Sequence, residues 1–320
     1  MPTEHELPLA PLWVSAASRV IQSLPAGRYR AMNWVPRRGG RPFWAAMPAD
    51  LGGLLFRCDL RDPLMREVCL TGRYEPQETA ILRALVRPGA AVVDVGANWG
   101  YFTLAAAHLV GRKGRVVSVE ADPQAARTLT ANAEKNGLTQ VTVIAAGASD
   151  AEHTLTVRRY GSDRHDSANF GVALDAAIQA GGERFDIPAR PLDGILDEAG
   201  LARVDVLKMD IEGAEARALA GLGRHLTAGS IDWILLELHP AHLRNQGASA
   251  VDVVDRLRSR GYDAWLVDHS PAAHRRAASA AVTAESLLTP LTVSSELGQW
   301  PHVLFGRRGL DRRAAGIDLR

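Results

Sequence analysis

The sequence predicts an α/β fold: a Rossmann-like, mostly parallel sheet with an antiparallel last strand, preceded by an N-terminal cap. Three observations predict it. Short apolar runs recur at 91–94, 116–120, 141–146, 206–210 and 231–237, separated by helical patterns. Buried strands alternating with helices mean right-handed βαβ units and a parallel sheet covered on both faces. The first run passes into a small-residue loop, Gly96-Ala97-Asn98-Trp99-Gly100, that opens a helix. With 320 residues, 47% hydrophobic and 23% charged, the chain can bury one full core of this kind.

Residues 1–75 read as an accessory cap, mixing Trp13, Trp34 and Trp44 with prolines and a basic turn at 37–41, without sustained periodicity. Its aromatics, with Met32 and Met47, either pack or line a substrate pocket. A strand-like pair is expected at 54–59 and 67–70. A helix at 77–86 follows and stops before Pro88-Gly89. The main domain runs from 76 to 310, with helices at 101–110, 123–136, 214–225 and 249–260. Two departures interrupt its rhythm. One is a polar insertion at 151–190 with strand-like pieces at 154–159 and 184–187, where Arg158, Arg159, Arg164, His165 and Asp166 form a solvated loop or a lid. The other is a loop at 269–300 ahead of a last strand at 302–305, and a tail covers 311–320.

The formal net charge of +1, from 37 basic and 36 acidic residues, supplies no field toward nucleic acid or an anionic membrane. Cys58 and Cys69 are too few for a disulfide scaffold, which fits a reducing cytoplasm. Glu4 and Glu6 ahead of the first apolar stretch argue against a secretory signal. No run approaches the ~20 uninterrupted apolar residues a membrane helix needs. The partner expected is therefore a small or neutral substrate, without nucleic acid or membrane, and a homodimer is left open.

Ligands of an open parallel sheet bind at the carboxyl ends of its strands, so the chemistry belongs after Asp94, Glu120, Ala146, Asp210 and Glu237. In the first loop, Gly96 and Gly100 let backbone approach a ligand where a Cβ would clash. The dinucleotide fingerprint is incomplete, because Tyr101 stands where its third glycine belongs. That disfavours a pyrophosphate. S-adenosylmethionine carries an amino-acid end instead, which suits the loop amides, with Asp94 near its cationic centre. A plain tight turn is the competing reading. Glu120 ends the second strand, where a carboxylate can accept both ribose hydroxyls, and Ala121 follows it. Asp122 before Pro123 is the better helix cap. The stretch 146–150, with Ser149, would lie beside an adenine.

Lys208, Asp210 and Glu212 share a parity on an otherwise apolar strand, and Glu237 and His239 share one on the next. Buried charges are costly unless paired. Lys208 is expected to pair with Glu237 or Asp210, leaving Asp210, Glu237 and His239 around the acceptor. A structural ion-pair network, with Glu212 and Glu215 at a helix start, is the alternative.

These segments resemble the FkbM-type methyltransferases. The likeness spans about Asp59 to Asp268 and rests on Gly72-Arg73-Tyr74-Glu75-Pro76, on 93–100, and above all on Leu207-Lys208-Met209-Asp210-Ile211-Glu212-Gly213-Ala214-Glu215. The resemblance implies a class I methyltransferase fold. It also implies that Glu75, Asp94, Gly96, Asn98 and Glu120 bind S-adenosylmethionine, while Asp210, Glu212 and Glu237 face the acceptor. The donor-binding set expected here adds Gly100, Tyr101, Phe102, Ala121, Ser149 and Asp210.

Methyl transfer is an in-line displacement in which alignment does most of the work. For an alcohol acceptor, His239 is the base by residue type, with an unperturbed pKa near 6.5; it can equally be a structural histidine. Mg²⁺ on Asp210, Glu237 and His239 is the second arrangement, although an imidazole is not an ideal magnesium ligand. The function expected is O-methylation of a secondary-metabolite or sugar hydroxyl. Its alternatives are N-methylation of a small molecule or peptide, an NAD-linked oxidoreductase, and a nucleoside-binding module without catalysis.

Overall fold

The computed structural model describes residues 7–24, 27–36, 41–160, 171–174, 183–278, 282–292 and 297–311. Most of the basic turn, the lid candidates Arg164, His165 and Asp166, and all but the first residue of the expected tail lie outside the described residues. In chain order the elements are α1 (Leu12–Ser23), α2 (Arg28–Met32), β1 (Phe43–Ala46), β2 (Leu55–Cys58), α3 (Pro63–Thr71), α4 (Pro76–Leu85), β3 (Ala91–Val95), α5 (Tyr101–Val110), β4 (Arg115–Glu120), α6 (Pro123–Lys135), β5 (Val141–Ala145) and β6 (Gly147–Ser149). There follow β7 (His153–Tyr160), β8 (Gly171–Leu174), β9 (Glu183–Pro191), α7 (Leu192–Glu198), β10 (Val204–Met209), α8 (Glu215–Ala220), α9 (Gly223–Ala228) and β11 (Ile231–Glu237). The chain closes with α10 (Pro240–Asn245), α11 (Ala250–Ser259), β12 (Tyr262–Val267), α12 (Pro271–Ala277), β13 (Leu288–Pro290) and β14 (His302–Arg307).

The main sheet has eight strands in the order β13-β12-β14-β11-β10-β3-β4-β5. The pairs β10–β11, β10–β3, β3–β4 and β4–β5 are parallel, whereas β14 runs antiparallel between β11 and β12. The class I arrangement expected from the sequence is therefore present. Its strands are apolar on both faces because both are covered. Val92, Val116, Val206 and Leu304 point into one core, while Val93, Val117, Leu207 and Phe305 point into the other. The N-terminal elements join the first of these cores through Val14, Phe56 and Leu70. None of the described helices is long and apolar enough to cross a membrane.

Several expectations need correction. The run at 67–70 is the end of helix α3, not a strand. Its stop and start signals decide the matter: the Asp62 side chain accepts the Met65 amide at 2.9 Å, Pro63 occupies the first turn, and Gly72 closes the helix at φ 78°. The single helix expected at 214–225 is two short ones, α8 and α9, because Gly221 turns its carbonyl out of the helix to accept the Asp193 amide at 2.8 Å. The early cap holds a twelve-residue helix, α1, that buries Val14 and Ile21. The stretch 269–300 is not a bare loop, since it contains α12 and the short edge strand β13. The strand-like pieces expected in the insertion are present as β7 and β9, which form a second sheet with β8 and with β6, just ahead of the insertion, in the order β6-β9-β7-β8.

Candidate functional site

The carboxyl ends of β3, β4 and β10 open into a cleft of about 170 Å³. Gly96, Ala97, Asn98, Tyr101 and Phe102 line it from the first loop, Glu120 and Ala121 from the second, and Gly147 and Ala148 from β6. Lys208, Asp210 and Glu212 line the opposite end. Glu120 is held at the mouth by two backbone amides, Asn98 donating to Oε2 at 2.6 Å and Asp122 to Oε1 at 2.7 Å. Burial is the largest influence on this carboxyl and raises it to about 7 against the pull of those two amides. A carboxylate so fixed keeps lone pairs free for the hydroxyls of a ribose.

Among the described residues the non-glycine positions with positive φ are Glu75 (41°), Asn98 (50°) and Glu212 (53°). All three belong to the first loop, the acidic turn after β10, or the Tyr74-Glu75 corner beside them. Backbone strain of this sort persists where the surroundings over-determine it, and functional sites are its usual location.

Gly96 is required for a second reason besides φ 81°: a Cβ there would lie 1.7 Å from the Asp210 carbonyl oxygen. Gly100 does not line the cleft. A Cβ on it would meet Leu129 Cδ1 at 2.2 Å, so its small size serves the packing of α5 on α6. Ser149 does not line the cleft either: it is fully buried and its hydroxyl donates to Asp150 Oδ1 at 3.0 Å. Asp94 lies beneath the cleft floor. Its Oδ2 accepts from Thr103 Oγ1 at 2.7 Å, and its buried Oδ1 has no hydrogen-bond partner.

Asp210 and Glu212 are not on a strand, because β10 ends at Met209. The turn beyond it nonetheless brings the expected charges together. Lys208 Nζ lies 3.7 Å from Asp210 Oδ2 and 4.5 Å from the Phe102 ring centroid. Burial, the largest influence, works against the ammonium, but Asp210, Glu75, Asp94 and Glu237 together raise Lys208 above the usual lysine range. His239 Nε2 sits 3.4 Å from Glu212, 3.6 Å from Glu237 and 3.9 Å from Asp210, while its Nδ1 bonds Glu215 at 2.8 Å.

The ordinary pKa expected for His239 is therefore corrected. Burial opposes its charge most strongly, yet the bond to Glu215 and the carboxylates of Glu212 and Asp210 push it up to about 10. That shift favours the protonated ring. Asp210 moves the other way from a typical carboxylate, raised by burial first and by Glu237 next, with Lys208 and His239 opposing. Glu237 is lowered despite its burial, by His302, His239 and Lys208. Glu75 is raised by burial and by Glu237, and its Oε2 is buried with no hydrogen-bond partner.

Several cleft residues were not anticipated. Tyr74 stacks edge-on against Tyr101, with centroids 5.7 Å apart, and Leu155, Val157 and Ile187 form a wall. That wall belongs to β7 and β9 of the insertion, which are legible as strand pieces although their antiparallel pairing is not visible in either segment alone.

Residues 94–264 match the model of the methyltransferase FkbM domain. The AMB antimetabolite synthetase AmbE of Pseudomonas aeruginosa is 31% identical over 206 residues, 55% of this chain; the chain spans only 10% of AmbE. The 31-O-demethyl-FK506 methyltransferase FkbM of Streptomyces tacrolimicus is 27% identical over 199 residues, covering 55% of this chain and 74% of that one. A SAM-dependent methyltransferase from Aquifex aeolicus superposes with a TM-score of 0.38 and 14% identity, over 77% of this chain and 94% of that structure.

Proposed function

Because the chain belongs to the FkbM methyltransferase family through residues 94–264, we propose that it methylates a hydroxyl of a small secondary-metabolite or sugar acceptor. The observation that carries this reading is that Glu120 and Asp210 line one cleft. A ribose-type carboxylate faces one end, and a buried acid paired with a lysine faces the other.

S-adenosylmethionine supplies, when bound, a methyl group activated by a sulfonium. The residues present fit it. Glu120 would take the ribose hydroxyls, the amides and small side chains of Gly96 to Asn98 its amino-acid end, and Ala121, Gly147 and Ala148 its base. Tyr101 and Phe102 keep water from the floor of the cleft, and the buried side chains of Asp94 and Glu75 lie beneath it, both carboxyls raised by burial.

On the acceptor side Asp210 is the proton acceptor in this reading. Its raised carboxyl is a better base than an ordinary aspartate. Lys208 holds it from one side and the His239 imidazolium from the other, which fits His239 as a positioning residue rather than the base. Mg²⁺ on Asp210, Glu237 and His239 fits these surroundings poorly: Lys208 already supplies the counter-charge, and an imidazole is not a ligand magnesium favours. A second reading, methylation of an amine, draws on the surplus of carboxylates from Glu75, Asp210, Glu212 and Glu237.

Calorimetric titration with S-adenosylhomocysteine and with NAD tests the donor. Binding of the first and not of the second is expected, and the reverse result sinks the reading. Mass spectrometry of products from paired hydroxyl and amine acceptors then separates O- from N-methylation.

A further inference from the structure

A second cluster lies behind Glu237, away from the cleft. Glu78 on α4 is buried, and its Oε1 lies 2.7 Å from His269 Nε2 and 2.9 Å from His302 Nδ1. The two imidazole rings are 4.1 Å apart between centroids. The other carboxylate oxygen, Glu78 Oε2, is buried and has no hydrogen-bond partner. His302 turns its remaining nitrogen, Nε2, toward Glu237 Oε1 at 3.5 Å.

We propose that Glu78, His269 and His302 form a binding site for a divalent transition metal, with zinc the best match, and that Glu237 is the outer carboxylate that orients His302. The ligand atoms of the three residues lie within 4.8 Å of one another. Zinc bonds of about 2.0–2.2 Å to nitrogen and oxygen need only a small spreading of the present contacts.

Four features argue for a metal rather than a hydrogen-bonded cluster alone. Two imidazole nitrogens converge on a single carboxylate, which is a donor set for zinc or iron and not for magnesium. The orphaned Glu78 Oε2 costs free energy as it stands and gains a partner if the carboxylate ligates. Metal-bound histidines almost always donate their second ring N–H to a carboxylate or carbonyl, and Glu237 sits where His302 needs it. His269, with its side chain 38% exposed, gives the ion a route from solvent.

Three protein ligands also leave a coordination position open. The site ties α4 to the segment after β12 and to the start of β14. Glu237 links it to the acceptor cluster, since its Oε1 faces both His302 and His239. Metal loading would thus fix the tautomer of His302 and the orientation of Glu237.

The test uses the full chain stripped by chelator dialysis and titrated with zinc chloride, with cobalt chloride as a spectroscopic probe. Expected are one zinc per chain, a higher melting temperature, a visible cobalt absorption band, and no comparable response to magnesium. His269→Ala should abolish the stoichiometric site, and Glu237→Gln should weaken it by about 10- to 100-fold. His302→Ala should match His269→Ala; if it does not fold, the exposed His269 decides alone. S-adenosylhomocysteine titration of each variant reports folding and keeps the two proposals separate: donor binding without zinc removes only the metal site, and zinc without donor removes only the methyl-transfer reading. A stripped chain that takes no stoichiometric zinc, or an H269A variant that binds it as the parent does, overturns the proposal.

Discussion

The Asp210 carbonyl oxygen stands 1.7 Å from where a Cβ on Gly96 would be, and the Asp210 amide donates to the Val95 carbonyl at 3.0 Å. The tips of β3 and β10 are thereby joined backbone to backbone, so the glycine loop and the acidic turn move as one. Gly96→Ala would add a Cβ where no flexible side chain can give way, at a residue with φ 81°. Backbone strain alone costs about 1–3 kcal/mol, and parting the two tips adds to it. Urea denaturation should show that loss, and calorimetry should show weaker binding of S-adenosylhomocysteine. A variant with parental stability and affinity would contradict the coupling.

Glu120 carries the next prediction. Its two oxygens are set by the amides of Asn98 and Asp122, so truncation removes a pre-placed acceptor and also leaves those two amides without their partner. A hydrogen bond to a charged group is worth about 1.5–3 kcal/mol, which corresponds to roughly a 10- to 100-fold rise in Kd for S-adenosylhomocysteine in Glu120→Ala. The pH dependence has a definite sign. With the carboxyl near 7 in the free protein, affinity should rise as pH climbs through that value, because only the ionised form accepts both hydroxyls. Affinity that is flat from pH 6 to 8 would rule out that role.

Asp210→Asn separates the chemistry from binding. The amide keeps the shape of the side chain beside Lys208 and cannot take up a proton. General base catalysis contributes about 10²- to 10⁴-fold, so turnover should fall within that range while S-adenosylhomocysteine binds as before. The same experiment run with His239→Gln should retain far more activity, since an imidazolium is a holder and not a base. If the order is reversed, His239 is the base after all.

Much of this site was legible because its signals are local. A strand ending in Asp94 and entering a small-residue loop, and a second strand ending in Glu120, are each contained within a dozen residues. Lys208, Asp210, Glu237 and His239 stood out for a different reason: charge on or just beyond a buried strand needs a partner, and the partners proved to be one another. Misreadings arose where the evidence was short or distant. Four apolar residues at 67–70 cannot show a period, and the decisive marks, Asp62-Pro63 and Gly72, lie outside the run. Ser149 was placed by its type, but β6 turns its hydroxyl toward Asp150, leaving Gly147 and Ala148 on the cleft. The pairing of Glu78 with His269 spans 191 residues and could only emerge once the sheet had assembled.

The charge on His239 makes the last prediction a matter of stability. Its pKa rises from an ordinary 6.5 to about 10 in the folded chain, because burial is outweighed by Glu215, Glu212 and Asp210. A raised histidine stabilises the fold fully below its unfolded value and loses that contribution as pH climbs through its folded one. The window is therefore about pH 6.5 to 10, and the sign is a decline in stability toward alkaline pH. Each pKa unit is worth about 1.4 kcal/mol, so the whole decline is on the order of a few kcal/mol. Other groups titrate in the same interval, so the informative quantity is the difference between the parent and His239→Gln. That difference in melting temperature should be largest near pH 6.5 and shrink steadily toward pH 10. Two curves that run parallel across the interval would mean that the imidazole is neutral in the fold, and that the carboxylates around it are held apart by Lys208 and His302 alone.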